Sequence, residues 1–346
     1  MSNWTDYLAR HGARFDTGSF GMDFGVPHAN VDALASGAVL VPLVHLGLVH
    51  ASGDEVAGFL HNMFSNDVAG LAADAVQWTS FNTAQGRMLA NFLLWRDGDG
   101  YSLAPAADLA PAFLKRLSLY ILRSKVKFVR PPPEQVLIGL AGPAASDCLA
   151  RAGLAVPESD MRQAVSGSWR TIRLSGELFI VDLASTEAAP VFDALLSAGA
   201  VESGSASWHL AVIRAGLPLV TAATQEVFVA QMLNFELIDG VSFSKGCYPG
   251  QEIVVRTQYL GKSKRRTYRL GFPVPPAGAS VGAALHAPEF GEQPVGVIVN
   301  FASLPWGGEA LAVLPSACVA AGGKIHVGAP DGPCAEVLDL PYEVPA

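Results

Sequence analysis

The hydrophobic pattern divides the first part of the chain into short strands and helices. Runs of β-branched and aromatic residues predict strands, and apolar residues at helical spacing predict helices, one of them N-capped by the Ser52-Gly53-Asp54 turn. Gly86 and the segment Asp97-Gly98-Asp99-Gly100 mark turns between strands. The predicted strands cover residues 39–50 (one or two strands), 77–81, 87–95, 101–104 and 125–129, and the predicted helices cover residues 54–63 and 107–120.

A run of three prolines, Pro131 to Pro133, marks a joint, because proline neither continues a helix nor donates a hydrogen bond to a sheet. Beyond the joint, antiparallel strands again alternate with helices, which is typical of an α+β sandwich. The predicted strands cover residues 135–140, 169–174 and 178–183, and the predicted helices cover residues 144–152, 188–198 and 207–215.

From about Thr267 the pattern changes to short apolar runs cut by proline and glycine, which is typical of a small all-β barrel or roll. These runs cover residues 268–272, 283–286, 294–301, 309–314 and 324–327. We therefore expect an α+β fold with a C-terminal small β-barrel. Its expected parts are residues 1–130, 131–266 and 267–346, the first two interleaved.

Composition allows more than one packed core, because the chain has 346 residues and is 50% hydrophobic. Its polar, acid-containing start does not resemble an export signal, and no apolar run reaches the roughly 18 residues of a membrane helix. We therefore expect a cytoplasmic protein without a membrane partner. The 4 cysteines and 8 histidines lack the spacings of disulfide frameworks or metal ligands, so we expect no metal site.

The net charge is −8, but the positive charges are concentrated in two stretches, which suits an anionic ligand or partner. Solvated faces of a helix and a strand would explain either stretch taken alone. The basic residues are Lys115, Arg116, Arg123, Lys125, Lys127 and Arg130 in the first stretch, and Lys245, Arg256, Lys262, Lys264, Arg265, Arg266 and Arg269 in the second.

The segment from Lys245 to Glu252 carries the candidate chemistry. If the chain is extended there, Lys245 and Cys247 project on the same face, and an ammonium near a thiol favours the reactive thiolate. The Pro-Gly pair that follows suits a helix start, whose N-terminus would act on Cys247 in the same direction. A packed, inert cysteine is the alternative interpretation, and the neighbouring lysine argues against it.

The sequence Lys245-Gly246-Cys247-Tyr248-Pro249-Gly250-Gln251-Glu252 resembles the K-G-C-[FY]-x-G-Q-E motif of the YgfZ family. The segment from Phe59-Leu60 to Asn66-Asp67-Val68 resembles the family's first helix and N-D-V turn, and Arg214-Ala215-Gly216-Leu217-Pro218 resembles its R-x-G-x-P segment. The resemblance implies a fold like that of the glycine-cleavage T-protein, with two ferredoxin-like units around a central folate channel and a C-terminal barrel.

The wider family includes the T-proteins, in which a Gly-Gly turn is followed by an Asp-Asp pair. A carboxylate of that pair assists aminomethyl transfer to folate. The matching segment here places Ala90 and Asn91 where the two acids should be. Neither side chain can act as a general acid or base. The resemblance therefore implies folate binding and argues against an independent aminomethyltransferase activity.

The YgfZ resemblance implies a tetrahydrofolate-binding accessory protein that supports iron–sulfur cluster assembly or repair in client enzymes, including tRNA-modifying ones. We expect Cys247 and Lys245 to be its catalytic residues. A pterin with its glutamate tail needs polar, flat and basic contacts. The expected folate contacts are Asn82, Asn91, Gln231, Lys245, Tyr248, Gln251, Glu252 and Arg256, with Trp78 as a further stacking surface.

Two alternatives stay open at this point. One is a folate-dependent aminomethyltransferase or demethylase that acts on a small amine. The other is a nucleic-acid-binding protein that uses the stretch from Lys262 to Arg269. Direct nucleic-acid binding is disfavoured, because Tyr268 is the stretch's only interleaved aromatic residue and the whole protein is acidic.

Overall fold

The computed structural model describes residues 3–16, 21–129, 135–259, 261 and 263–345. The chain divides into two compact units, each built from three chain segments. The first unit comprises Met1–Val56, Gly70–Gln77 and Leu93–Ala211, and the second comprises Ala57–Ala69, Trp78–Phe92 and Val212–Ala346. The predicted joint at Pro131 to Pro133 lies outside the described residues.

The helices agree with the predicted ones in the middle of the chain, with ends that differ by a few residues. In chain order they are α1 (Asn3–Arg10), α2 (Val31–Ser36), α3 (Val56–Met63), α4 (Ala110–Ser118), α5 (Ala145–Arg151), α6 (Ser185–Ser197), α7 (Ser205–Arg214), α8 (Gln251–Tyr259) and α9 (Ser316–Ala320). Short 3-10 turns lie at Ala222–Thr224, Ala230–Leu233 and Pro288–Phe290.

Every predicted strand is present, and the apolar run at residues 39–50 forms two strands. The strands of the first half are β1 (Arg14–Asp16), β2 (Gly21–Asp23), β3 (Val39–Pro42), β4 (Val49–Ser52), β5 (Val76–Asn82), β6 (Met88–Asp97), β7 (Gly100–Ala104), β8 (Lys127–Val129), β9 (Gln135–Ala141) and β10 (Arg162–Ser166). The others are β11 (Trp169–Ser175), β12 (Leu178–Ala184), β13 (Val201–Glu202), β14 (Arg265–Phe272), β15 (Ala284–His286), β16 (Gly296–Ser303), β17 (Gly308–Pro315), β18 (Ile325–Val327) and β19 (Cys334–Leu338).

The first unit is organised by a six-stranded sheet in the order β10-β11-β12-β9-β3-β13. Neighbouring strands are antiparallel except β13, which pairs in parallel with β3. Helices α1, α5 and α6 pack on this sheet around fully buried side chains such as Leu140, Phe179 and Phe192. A second sheet follows the order β5-β6-β7-β4-β8; strands β4, β7 and β8 belong to this unit, and β5 and β6 contribute residues to both units.

The second unit contains a closed barrel in the order β14-β17-β16-β15-β18-β19. Strand β17 is buried along most of its length because it pairs with both β14 and β16. The barrel interior is filled by apolar side chains, among them Leu270, Phe272 and Ile298. The predicted α+β class and the predicted C-terminal barrel are therefore confirmed.

Candidate functional site

The motif at residues 245–252 forms an irregular loop that leads into α8. The loop is not the extended segment that would place Lys245 and Cys247 on one face. The Lys245 side chain is buried, with 9% of the residue exposed, whereas Cys247 is exposed. Helix α8 begins at Gln251, so the Pro-Gly pair forms the turn before the helix and lies outside its first turn.

Lys245 closes the C-terminal end of α3. Its Nζ donates hydrogen bonds to the backbone carbonyls of His61 and Phe64, the latter at 2.7 Å. Carbonyls at a helix end lack intrahelical partners, so the ammonium acts as a cap. Nζ also lies 5.0 Å from the centroid of the Tyr248 ring, a cation–π distance. Lys245 therefore anchors the motif loop on α3.

The same environment changes the pKa of Lys245. Burial lowers the pKa of Lys245 to about 8, because a charged ammonium loses hydration there. The nearby Asp67 carboxylate opposes that shift in the pKa of Lys245. Burial in this environment therefore makes Lys245 easier to deprotonate than an exposed lysine.

The turn at residues 65–67 holds the chain that leads into the motif. Asn66 Nδ2 donates to the carbonyl of Asp239 at 2.6 Å, and Ser65 Oγ donates to the carbonyl of Gly240 at 2.8 Å. Hydrogen bonds from side chains to a loop backbone fix that loop's path. The N-D-V-like segment thus positions the residues that precede Lys245.

Gly250 brings the motif close to the turn that follows β5. Its φ is +79°, and a Cβ there would lie 2.5 Å from the carbonyl oxygen of Thr83 and 2.6 Å from the Cα of Gly86. Only glycine combines this backbone conformation with so close an approach. Asn82, the last residue of β5, directly precedes Thr83 in this turn.

Three buried polar atoms, on residues of the motif loop or of segments that contact the loop or α8, have no hydrogen-bond partner among the described residues. They are Asn82 Oδ1, Gln231 Oε1 and the Tyr248 hydroxyl, in residues that are 3%, 1% and 6% exposed. Gln231 is held against α8 because its Nε2 donates to the carbonyl of Val254 at 2.7 Å. Buried polar atoms are nearly always paired, so these atoms fit a ligand that supplies the partners. Trp78 Nε1 is likewise buried and unpaired within the described part.

The side chain of Asn91, in contrast, forms hydrogen bonds within the protein. It is fully buried, its Nδ2 donates to the carbonyl of Pro218 at 2.7 Å, and its Oδ1 accepts from the amide of Val220 at 2.7 Å. The side chain therefore braces the 218–220 segment. Asn91 therefore belongs to the frame of the second unit.

The second basic stretch is partly neutralised by buried carboxylates. Arg266 forms an ion pair with Glu236, and both side chains are nearly inaccessible. Arg269 and Arg214 share Glu309, each at 2.8 Å. The remaining predicted contacts on α8 are a half-buried Gln251 and an exposed Glu252. The exposed cations of this stretch within the described residues are Arg256, Lys264 and Arg265.

Sequence reasoning missed Glu236 and His61. Glu236 is a single acid inside an apolar segment, which was an available signal for a paired, buried charge. His61 Nδ1 lies 3.0 Å from Asp67 Oδ1. No spacing rule would have joined these two residues, because one lies on α3 and the other in the turn behind it.

Two further properties concern metals and membranes. In the described part of the chain, no group of three His, Cys, Asp or Glu side chains is placed to hold a metal ion. None of the described helices is long and apolar enough to cross a bilayer. Of the four cysteines, Cys148 and Cys318 are buried, whereas Cys247 and Cys334 are exposed.

Comparison with known proteins identifies the family. The tRNA-modifying protein YgfZ of Yersinia pestis (strain Pestoides F) is 31% identical over 254 residues, which are 72% of this chain and 76% of that protein. The chain belongs to the YgfZ family. Another YgfZ protein, from Pectobacterium carotovorum subsp. carotovorum (strain PC1), is 30% identical over 250 residues, 71% of this chain and 74% of that protein. No protein-family model matches the chain.

The fold of this YgfZ-family member is that of the glycine-cleavage T-protein. The crystal structure of aminomethyltransferase T from Bartonella henselae matches with a TM-score of 0.78 at 20% sequence identity. The match covers 97% of this chain and 96% of that one. The predicted family and the predicted T-protein-like fold are thus confirmed.

Proposed function

We propose that this cytoplasmic YgfZ-family protein binds tetrahydrofolate or a related folate at the start of α8. The observation that carries the proposal is the set of unpaired buried atoms on Asn82, Gln231 and Tyr248. A pterin presents several N–H donors along its aminopyrimidine edge, and the two amide oxygens are acceptors. The residues present therefore fit the polar edge of a folate.

The exposed cations suit the other end of the same ligand. A folate tail carries carboxylates, and arginine recognises a carboxylate through two parallel hydrogen bonds. Arg256 lies on α8 itself, and Arg265 begins β14. A bound tetrahydrofolate would supply a nitrogen that carries one-carbon units, and this chain's residues would hold and orient it.

The proposed role is binding and support, without independent aminomethyl transfer. Ala90 and Asn91 are fully buried, and neither provides the titratable group that the transfer needs. Both polar atoms of Asn91 are also engaged in bracing the fold. This feature disfavours the alternative of a folate-dependent aminomethyltransferase or demethylase.

The second part of the proposal concerns clients. We propose that the protein supports the assembly or repair of iron–sulfur clusters in client enzymes, including tRNA-modifying ones. The name of the relatives, tRNA-modifying protein, supports a link to tRNA modification. Cys247 is the proposed reactive residue, because its thiol is exposed on a loop that Lys245 anchors.

Calorimetric titration with tetrahydrofolate under anaerobic conditions tests the folate site. Wild type should bind, and Asn82→Leu and Gln231→Met should each weaken binding by roughly tenfold or more, because they leave a ligand N–H without its acceptor. Asn62→Leu, a change at an exposed position of α3, is the matched control and should bind like wild type. Absence of binding to wild type, or equal affinity in all four proteins, would refute the site.

A further inference from the structure

The C-terminal end of α4 and the turn that follows it expose three large apolar side chains. Leu119 is 71% exposed, Tyr120 is 44% exposed and Leu122 is 90% exposed. Single apolar residues on a surface are ordinary, but a cluster of them marks a site of interaction. A groove of about 620 Å³ is lined here by Glu55, Tyr120, Leu122, Arg123 and Ser124. Two of the exposed apolar side chains therefore border a recess with room for a partner's side chains.

The turn that carries Leu122 is held in place by hydrogen bonds. Its ends are joined by a bond from the Ser124 amide to the Ile121 carbonyl at 2.7 Å. The Lys125 amide donates to Glu55 Oε2 at 2.6 Å, which ties the turn to the residue before α3. Leu122 has a φ of +44°, a region that a bulky side chain rarely adopts. The fold therefore holds a strained leucine out in water, and strain of this kind is typical of binding sites.

Exposed cations surround these apolar side chains, and they come from the first basic stretch, which the proposed folate site does not use. Lys115 lies four positions before Leu119, so the two share one face of the helix end. Among the described residues, neither Lys115 nor Arg123 forms an ion pair, and Lys125 lies 3.5 Å from the exposed Asp54. The basic–apolar patch consists of Lys115, Arg116, Leu119, Tyr120, Leu122, Arg123, Lys125 and Lys127, all exposed.

We propose that the basic–apolar patch is the surface on which an iron–sulfur client enzyme docks through an acidic, apolar-centred region of its own. An apolar side chain of the client enters the groove beside Tyr120 and Leu122, and the client's carboxylates meet the surrounding cations. Burial of the apolar side chains supplies affinity, and the complementary charges steer and orient the encounter. The patch lies entirely in the first unit. The inference rests on the proposed role of the protein in supporting client enzymes.

A nucleic acid suits the patch less well than a protein does. Phosphates would meet the cations, but Leu119 and Leu122 offer neither hydrogen bonds nor a flat face to the bases. The carboxylate of Glu55 also lines the groove and repels a phosphate that approaches it. A client protein, in contrast, places an apolar side chain in the groove and its acids on the basic rim.

The proposal is tested by biolayer interferometry between the purified full chain and one purified iron–sulfur enzyme that modifies tRNA. The double variant Leu119→Ser with Leu122→Ser should weaken binding by roughly tenfold or more, because the apolar anchors are lost. The double variant Lys115→Glu with Arg123→Glu should weaken binding similarly, mainly by slowing association, and should reduce its dependence on salt. Circular dichroism checks that each variant is folded.

The matched controls change exposed residues of the same unit outside the patch. They are Val165→Ser with Val201→Ser, at positions that are 61% and 42% exposed, and Arg10→Glu with Arg14→Glu. Both controls should bind the client like wild type. Equal affinity of wild type and the two patch variants would overturn the docking surface alone.

Two further measurements separate the alternative partners and the failure of the proposed function. Binding of transfer RNA without the enzyme, or self-association of the chain, that is lost in the patch variants would assign the patch to that partner and overturn the proposal. Absence of client binding by wild type would also overturn it. Recovery of client activity by wild type in a deletion strain, measured in parallel, shows separately whether the proposed client role holds.

Discussion

Lys245 and Cys247 lie two positions apart in the motif, but the structure gives them different roles. Lys245 is buried and caps α3 through two backbone carbonyls, whereas Cys247 is exposed and available to a reaction partner. Spacing alone predicts that both belong to one site, and it cannot predict which of them is buried. That difference depends on the position of α3, which is separated from the motif by more than 180 residues of sequence.

Lys245→Met removes the ammonium that caps α3. We expect a loss of about 1–3 kcal/mol in the free energy of unfolding near neutral pH, because two carbonyls at the end of α3, one of them fully buried, lose their donor. The folded-state pKa of about 8 lies below the ordinary value of 10.5, so the unfolded chain binds more protons between these two values. Wild type should therefore gain stability relative to Lys245→Met as the pH rises through that window.

Urea unfolding of both proteins at about pH 7.5 and about pH 10 measures this difference. A stability difference that stays constant between the two pH values would mean that Lys245 does not titrate as its burial requires.

At the scale of elements, only one of the two glycines of the motif is required by the structure. Gly250 is required by its φ of +79° and by the turn at Thr83 to Gly86, whereas Gly246 faces open space. We expect Gly250→Ala to destabilise the protein by about 2–4 kcal/mol, from backbone strain and from a displaced turn. Gly246→Ala is the matched control and should change stability by no more than about 0.5 kcal/mol. Thermal unfolding compares them, and equal effects would contradict this assignment.

The strands differ in how well the sequence pattern predicts them. Strands with long apolar or β-branched runs, such as β6 and β9, were predicted because such runs are typical of buried strands. Strands β13 and β19 were missed, because β13 has only two residues and β19 buries only Ala335, so neither shows a strand pattern. Their pairing is decided by the strands beside them, which no local pattern contains.

For the candidate site, the motif predicted the loop and Cys247 but could not predict the surrounding atoms. Asn82 and Gln231 were expected as ligand contacts, and each carries an unpaired buried oxygen. Asn91 was expected beside them, yet its carbonyl and amide groups are occupied by the 218–220 segment. An amide's hydrogen-bond partners depend on tertiary contacts, so sequence alone cannot separate a ligand contact from a brace.

At the scale of the whole molecule, buried charges tie the barrel to the rest of the second unit. Glu309 on β17 accepts hydrogen bonds from Arg269 on β14 and from Arg214, which lies in the family-like R-x-G-x-P segment. We expect Glu309→Ala to cost about 1–3 kcal/mol of unfolding free energy, because two partly exposed guanidinium groups lose their buried partner.

The matched control is Glu336→Ala, which removes an exposed carboxylate from β19 of the same barrel. Denaturant unfolding of the two variants provides the comparison. Similar small losses in both would show that the Arg214–Glu309–Arg269 cluster contributes little to the stability of the barrel.

We propose that the fold holds the motif loop so that the Cys247 thiol performs the protein's function. The most direct measurement is the recovery of iron–sulfur enzyme activity in a deletion strain. The strain expresses, at equal levels, the wild-type protein or a variant in which one cysteine is replaced. Wild type and Cys334→Ala, the variant at the other exposed cysteine, should restore activity. Cys247→Ala should fold and accumulate but fail to restore it, and full rescue by Cys247→Ala would contradict the claim.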